Sequence, residues 1–209
     1  MSPDAALSWL KPGESAFDAS LLDLIDERVQ PGMVVWDIGA NVGGFSLPAA
    51  ARGATVIAVE ADPFLVGLLA RTAAANPGLH LRVERNAVGM EGADAIFALA
   101  GRGRCCNGLA EGALPNGHGR SRASFPVVTR SLDALLGVHP PPDLIKIDIE
   151  GGELLALAAA PRMLKDIAPI LYVEVHRANF DPVAAILADA GYRASGAFNI
   201  LAEPPARFV

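Results

Sequence analysis

The sequence predicts an α/β fold built on a parallel sheet, and three observations carry that expectation. Short apolar runs alternate with stretches of helical period, one after another along the chain. The runs lack the apolar–polar alternation of a half-exposed sheet, so they suit strands covered on both faces. Hydrophobic residues make up 52% and charged residues 19% of the 209, which supports a sizeable core and argues against disorder. No polar tract or linker interrupts the pattern, so a single domain over residues 1–209 is expected.

The elements follow in order. Residues 1–30 read as an N-terminal arm and a helix, from about Asp18 to Val29, with Leu21, Leu22, Ile25 and Val29 on one face. Pro31-Gly32 stops it. "MVVWDIG" is a buried strand, and "GGFSLPAAARG" a helix with Pro48 in its first turns, where a missing N–H costs least. "ATVIAVEA" is the second strand. Asp62 then caps the helix "DPFLVGLLARTAAAN", with Pro63 at its first position. "LHLRVERNAVG" reads as a third strand.

Residues 90–125 break the alternation. "DAIFALA" reads as a strand, followed by a Gly-, Ser- and Arg-rich excursion, so this is an inserted loop or hairpin and a candidate lid. "FPVVTRSLDALLG" returns to a strand and a short helix. "DLIKIDIEGGE" is a buried strand running into an acid-Gly turn, and "GELLALAAAPRML" a helix. "APILYVEVH", "DPVAAILADAGY" and "YRASGAFNIL" complete the chain as strand, helix and one last strand.

Open α/β sheets bind ligands beyond the carboxyl ends of their strands. Those ends are Asp37-Ile38-Gly39, Glu60-Ala61-Asp62, Asn86-Ala87, Asp148-Ile149-Glu150 and Glu174-Val175-His176. The first loop does not carry the G-x-G-x-x-G spacing of a dinucleotide site, because its glycines are Gly39, Gly43 and Gly44. A carboxylate at Asp37 would also repel a pyrophosphate. It suits a ligand with positive charge and no phosphate, and S-adenosylmethionine is such a ligand. Asp37 is then expected near its amino-acid portion. Gly39, Ala40, Asn41 and Gly43 would let the backbone pass close to it. Glu60, about 20 residues beyond Gly39, with Ala61, would take the ribose hydroxyls. Asn86 and Ala87 would meet the adenine edge, and Asp148 would complete the cofactor wall.

"DIGANVGGFS", "VEADP", "NAVG", "SLDALL" and "IKIDIEGGELLAL" together resemble the FkbM family of S-adenosylmethionine-dependent methyltransferases, over roughly residues 33 to 192. The resemblance implies a class I Rossmann-like methyltransferase fold. That fold is a mostly parallel seven-stranded sheet with one antiparallel C-terminal strand and helices on both faces. It also implies O-methylation of a hydroxyl on a sugar, polyketide or other secondary metabolite.

A hydroxyl attacks only as it loses its proton, so a general base is expected beyond the fourth and fifth parallel strands. Asp148, Glu150, Glu174 and His176 are the candidates. If the strands continue that far, Asp148 and Glu150 share a face, as do Glu174 and His176. One of them can act as base with its neighbours tuning it. Alternatively Asp148, Glu174 and His176 can hold Mg²⁺ or Mn²⁺. Metal-free catalysis with His176 or Glu150 as base is the favoured reading. Lys146 alternates with Asp148 and is expected to pair with a buried carboxylate.

The remaining signals bound the function. The net charge of −6 and the absence of a basic arm argue against nucleic acid as partner. No run of about 18 apolar residues occurs, and no basic leader precedes an apolar core, so a cytoplasmic protein without a membrane span is expected. The two cysteines, Cys105 and Cys106, are neighbours and read as loop thiols. Arg102, Arg104, Arg120 and Arg122 around His118 read as solvated surface, with recognition of an anionic group as the alternative. Trp9, Phe17 and Phe45 are candidate pocket walls, and a second subunit could complete the lid. The competing functions are methylation of RNA or protein, a nicotinamide-dependent oxidoreductase, and a binding module without catalysis.

Overall fold

The computed structural model describes residues 18–101, 107–110, 121–196 and 199–206. Trp9, Phe17, Arg102, Arg104, Cys105, Cys106, His118 and Arg120 lie outside the described residues. Helix α1 (Ala19–Arg28) starts at Asp18, whose carboxylate accepts from the Ser20 amide at 2.8 Å, and it buries Leu24 and Ile25. Then come β1 (Val34–Ile38), α2 (Ser46–Ala51), β2 (Thr55–Glu60), α3 (Pro63–Ala75) and β3 (Leu81–Arg85). Asp62 caps α3 by accepting from the Phe64 amide at 2.9 Å, with Pro63 in the first turn as expected.

After β3 the chain leaves the main sheet. Strands β4 (Ala87–Val88), β5 (Asp94–Leu99), β6 (Gly108–Leu109) and β7 (Ala123–Arg130) form a second sheet in the order β4-β7-β5-β6. Its spine is the antiparallel pair β5–β7, and β7 runs beyond residues 90–125, the bounds read for the insertion. The chain returns through α4 (Leu132–Leu135), β8 (Leu144–Ile147) and α5 (Glu153–Ala158). A turn of π-helix over Met163–Ile167 follows, then β9 (Ile170–Glu174), α6 (Phe180–Asp189), β10 (Arg193–Ser195) and β11 (Asn199–Glu203).

The main sheet has seven strands in the order β10-β11-β9-β8-β1-β2-β3, and β3, β2, β1, β8 and β9 pair in parallel. Alternate residues of one strand feed opposite faces. Trp36, Ile38, Ile145 and Ile147 enter one core with Leu132 and Leu157, while Val35 and Leu144 enter another with Ile25 and Phe45. Each such side chain contributes on the order of 1.5–3 kcal/mol by leaving water. Trp36 is fully buried, donates from Nε1 to the Pro140 carbonyl at 3.1 Å, and meets the His139 ring edge-on at 6.0 Å.

Two elements differ from the sequence expectation. The run read as one third strand divides at Asn86, whose amide donates to the Glu60 carbonyl at 3.1 Å before Ala87-Val88 turn to pair with Thr129-Arg130. The run read as one last strand is β10 and β11 around Gly196. That residue has φ +105°, and a Cβ there would lie 2.0 Å from the Asn199 carbonyl oxygen. Strand β11 is antiparallel to both β9 and β10, so the one reversed strand makes two antiparallel pairings and β10, not the reversed strand, forms the edge of the sheet. Among the described residues no helix is long and apolar enough to cross a membrane.

Candidate active site

The parallel strands β1, β2 and β8 end side by side, and the loops that follow them meet. At Gly39 the chain turns with φ +83°, and a Cβ there would lie 1.8 Å from the Asp148 carbonyl oxygen. Only glycine lets the loop after β1 lie so close to the loop after β8. The Gly39 and Ala40 amides both donate to the Val59 carbonyl, at 2.9 and 3.0 Å, and Gly43 closes the turn on the Ala40 carbonyl at 2.8 Å. Asn41 is left-handed at φ 51°, and its amide donates to Glu60 Oε2 at 2.9 Å.

Glu60 ends β2, is 6% exposed, and accepts a second bond on Oε1 from the Asp62 amide at 2.8 Å. Burial pushes its carboxyl above the ordinary glutamate value, and these two amide bonds oppose the shift. The cleft above this corner has a volume of about 580 Å³, open solvent at its mouth included. Of the expected cofactor residues, Gly39, Asn41, Glu60, Ala61, Asn86, Ala87 and Asp148 line it.

Asp37, Ala40 and Gly43 do not. Ala40 is 3% exposed and packs beside Ala58 and Leu69. Asp37 has no exposure at all. Its Oδ2 accepts from Ser46 Oγ at 2.6 Å, and its Oδ1 lies 3.3 Å from Lys146 Nζ. Asp37 thus lies beneath the cleft and not on its lining, where any approach to a ligand is indirect. Parallel register sets Asp37 opposite Lys146 on one face of the sheet, and the ammonium answers the carboxylate there. Lys146 also lies 3.3 Å from Asp148 Oδ2 and donates to the Gly39 carbonyl at 3.3 Å. Burial disfavours the charge on Lys146, but Asp37 and Asp148 outweigh burial and hold its pKa above the ordinary lysine value.

Strand β8 ends at Ile147, so Asp148 and Glu150 are not strand neighbours sharing a face as expected. They belong to a turn in which Glu150 is left-handed at φ 53°. Glu174 ends β9, and His176 lies beyond it, exposed, with Nδ1 at a long 3.5 Å from the Ala178 amide. Asp148, Glu150, Glu174 and His176 nevertheless border one second cleft of about 640 Å³, open solvent included, which shares Asp148 and Glu150 with the first. Burial, then Asp148 and Glu174, push the Glu150 carboxyl up to about 7. Glu174 is raised by burial and by Asp148. Among the described residues, no three His, Cys, Asp or Glu side chains converge closely enough to hold a metal ion.

Sequence reasoning missed several residues here. Glu153 is 1% exposed, and its Oε1 accepts from the Ile149 and Gly151 amides at 3.1 and 3.0 Å, so it braces the turn that carries Glu150. Its signal was the acid placed just after the Gly-Gly pair in "DIEGGE". Phe97 and Leu109 come from the second sheet to wall the first cleft. Asn107 joins the two sheets, accepting from the Ala100 amide and donating to Asp62 Oδ2, both at 2.9 Å. No local pattern marks these three.

Residues 37–194 match the methyltransferase FkbM domain family. Among curated proteins, hexuronic acid methyltransferase AglP of Haloferax volcanii is 25% identical over 177 residues, covering 83% of this chain and 69% of that protein. The 23S rRNA (uracil(1939)-C(5))-methyltransferase RlmD of Halomonas elongata is 44% identical over 73 residues, which is 35% of this chain and 13% of that protein. This chain thus spans under a fifth of the length of the RlmD relatives it matches. Among solved structures, methyltransferase FkbM from Methylobacillus flagellatus superposes with a TM-score of 0.57 at 16% identity, over 87% of this chain and 50% of that one, a likeness of fold. The matched segment runs from the glycine turn through the second sheet and both acidic turns, and by that match the chain belongs to the FkbM methyltransferase family.

Proposed function

We propose that this methyltransferase takes S-adenosylmethionine in the first cleft and methylates a hydroxyl on a small molecule, of the class of sugars and secondary metabolites. The observation that carries this reading is the chemistry of the cleft. Glu60, Asp148 and Glu150 line it, and among the described residues no lysine or arginine does. A pyrophosphate would meet three carboxylates and no cation, whereas a sulfonium with an ammonium is complementary. The negative charge that meets such a ligand comes from these three residues and not from the buried Asp37.

The fit extends along the cleft. Glu60 holds both oxygens still with amide bonds, and each oxygen keeps a lone-pair site for a ribose hydroxyl. Val59, Ala87, Phe97 and Leu109 offer an apolar slot for a purine ring. S-adenosylmethionine, when bound, supplies a methyl carbon open to in-line displacement from sulfur. The protein's task is position and proton. Glu150 borders both clefts and titrates near neutrality, so it is the base that takes the hydroxyl proton. His176 stands exposed at the edge of the second cleft alone, with Nδ1 facing the Ala178 amide, and does not border the cofactor cleft.

An RNA acceptor is the second reading, favoured only by the short match to RlmD. The acidic clefts and the net charge of −6 oppose a phosphate backbone. The deciding experiment is calorimetric titration with S-adenosylhomocysteine and, separately, NADH. Binding of S-adenosylhomocysteine alone is expected. Binding of NADH alone would return the chain to the oxidoreductase reading.

A further inference from the structure

We infer that the second cleft takes a cationic acceptor, one whose reacting hydroxyl stands near a protonated amine, as in an amino sugar or an amino alcohol. This rests on the small-molecule reading above and narrows it. The cleft shares Asp148 and Glu150 with the cofactor cleft, so it continues on the acceptor side of the reacting centre. Four carboxylates border it: Asp148 and Glu150 from the turn after β8, Glu153 from α5 and Glu174 from the end of β9.

The cations nearby do not balance them. Lys146 is 5% exposed and engages Asp37 and Asp148 beneath the cleft. Arg177 is exposed at the rim, and so is His176. Lys146 opposes the shifts of Glu150 and Glu174 from beneath, but among the described residues no side-chain cation forms an ion pair with Glu150, Glu153 or Glu174.

A separate observation comes from Glu153. This side chain is nearly sealed from solvent, and while Oε1 holds two amides, Oε2 finds no hydrogen-bond donor among the described residues. A buried carboxylate oxygen without a donor is costly, and a donor arriving with a ligand relieves it. Burial raises Glu150, Glu153 and Glu174 alike, and neighbouring carboxylates push each further in the same direction. A cation in the cleft reverses that repulsion.

The carboxylates stand around the walls and do not converge. That arrangement suits an ammonium, with three divergent N–H donors, better than a metal ion needing a closed oxygen shell. A uronic acid, the substrate class for which AglP is named, would add another negative charge to this cleft.

The test uses glucosamine, glucose and glucuronate as matched probes, titrated with and without saturating S-adenosylhomocysteine and followed by NMR shifts. Glucosamine should bind about tenfold or more tighter than glucose at low salt, the scale of one charge-assisted hydrogen bond, with glucuronate weakest. Glu174→Gln, an exposed position, should remove most of that preference and leave S-adenosylhomocysteine affinity unchanged. Equal binding of the three sugars, no binding of glucosamine, or preference for glucuronate overturns the inference. So does a preference that appears only with added Mg²⁺ and vanishes with EDTA. If S-adenosylhomocysteine fails to bind while glucosamine is still preferred, the cofactor reading falls and this one stands.

Discussion

Gly39 and Gly44 lie in the same loop and answer to different constraints. At Gly39 an added methyl group would strike the backbone of Asp148, and φ is positive; at Gly44 an added Cβ meets nothing within 4 Å. Gly39→Ala should therefore cost more than the ~1 kcal/mol of a left-handed alanine alone, and should weaken S-adenosylhomocysteine at least tenfold by forcing the loops apart. Gly44→Ala should leave both folding and binding nearly unchanged. Urea titration and calorimetry on the two variants check this, and equal behaviour would disprove the close-approach argument. Residues of this kind were legible in the sequence, because Gly39 and Glu60 owe their places to one short strand-turn-helix unit each. Asp37 was legible as an acid at the end of the right strand but not as a buried one. Its partner, Lys146, arrives from a distant strand, and only the register Asp37↔Lys146 brings them together.

At the scale of elements, that register makes Lys146 the tie between the ends of β1 and β8. It contacts Asp37, Asp148 and the Gly39 carbonyl, each at 3.3 Å. Lys146→Met should cost about 3–5 kcal/mol by leaving Asp37 charged, buried and unanswered. The double variant Asp37→Asn with Lys146→Met should recover a large part of that loss, because the stranded charge is gone. Denaturant midpoints of the three proteins decide the matter, and additive losses would count against the pairing. The alternation of strands and helices was readable because buried parallel strands leave near-continuous apolar runs. The second sheet was readable only as a hairpin. The departure at Asn86 is fixed by its hydrogen bond to the Glu60 carbonyl and by pairing with β7, far along the chain, and a lone Asn is too weak a turn signal to show it. The division at Gly196 did carry one, in "SGAF", within a run otherwise apolar enough to read as continuous.

For the whole molecule, the carboxylates gathered at one end of the sheet set the dependence of stability on pH. Glu60, Glu150, Glu153 and Glu174 are all raised in the folded state by burial, Glu150 from 4.5 to about 7. The native protein then holds protons that the unfolded chain has already released. The stability they supply is complete below the ordinary glutamate value and is lost as pH rises through the folded values. The thermal midpoint of the free protein should fall between about pH 5 and pH 8, with Glu150→Gln flattening the curve. A midpoint that climbs across that window would contradict the raised values. In the core of the main sheet lies Trp36, sealed in β1 with its indole edge against His139, which burial holds below the ordinary imidazole value and so uncharged at neutral pH. A neutral imidazole quenches indole light far less than a protonated one, and a dry indole emits to the blue. The central strand therefore carries its own lamp, and with Trp9 replaced by Phe its colour and brightness report whether the sheet beneath the clefts is intact.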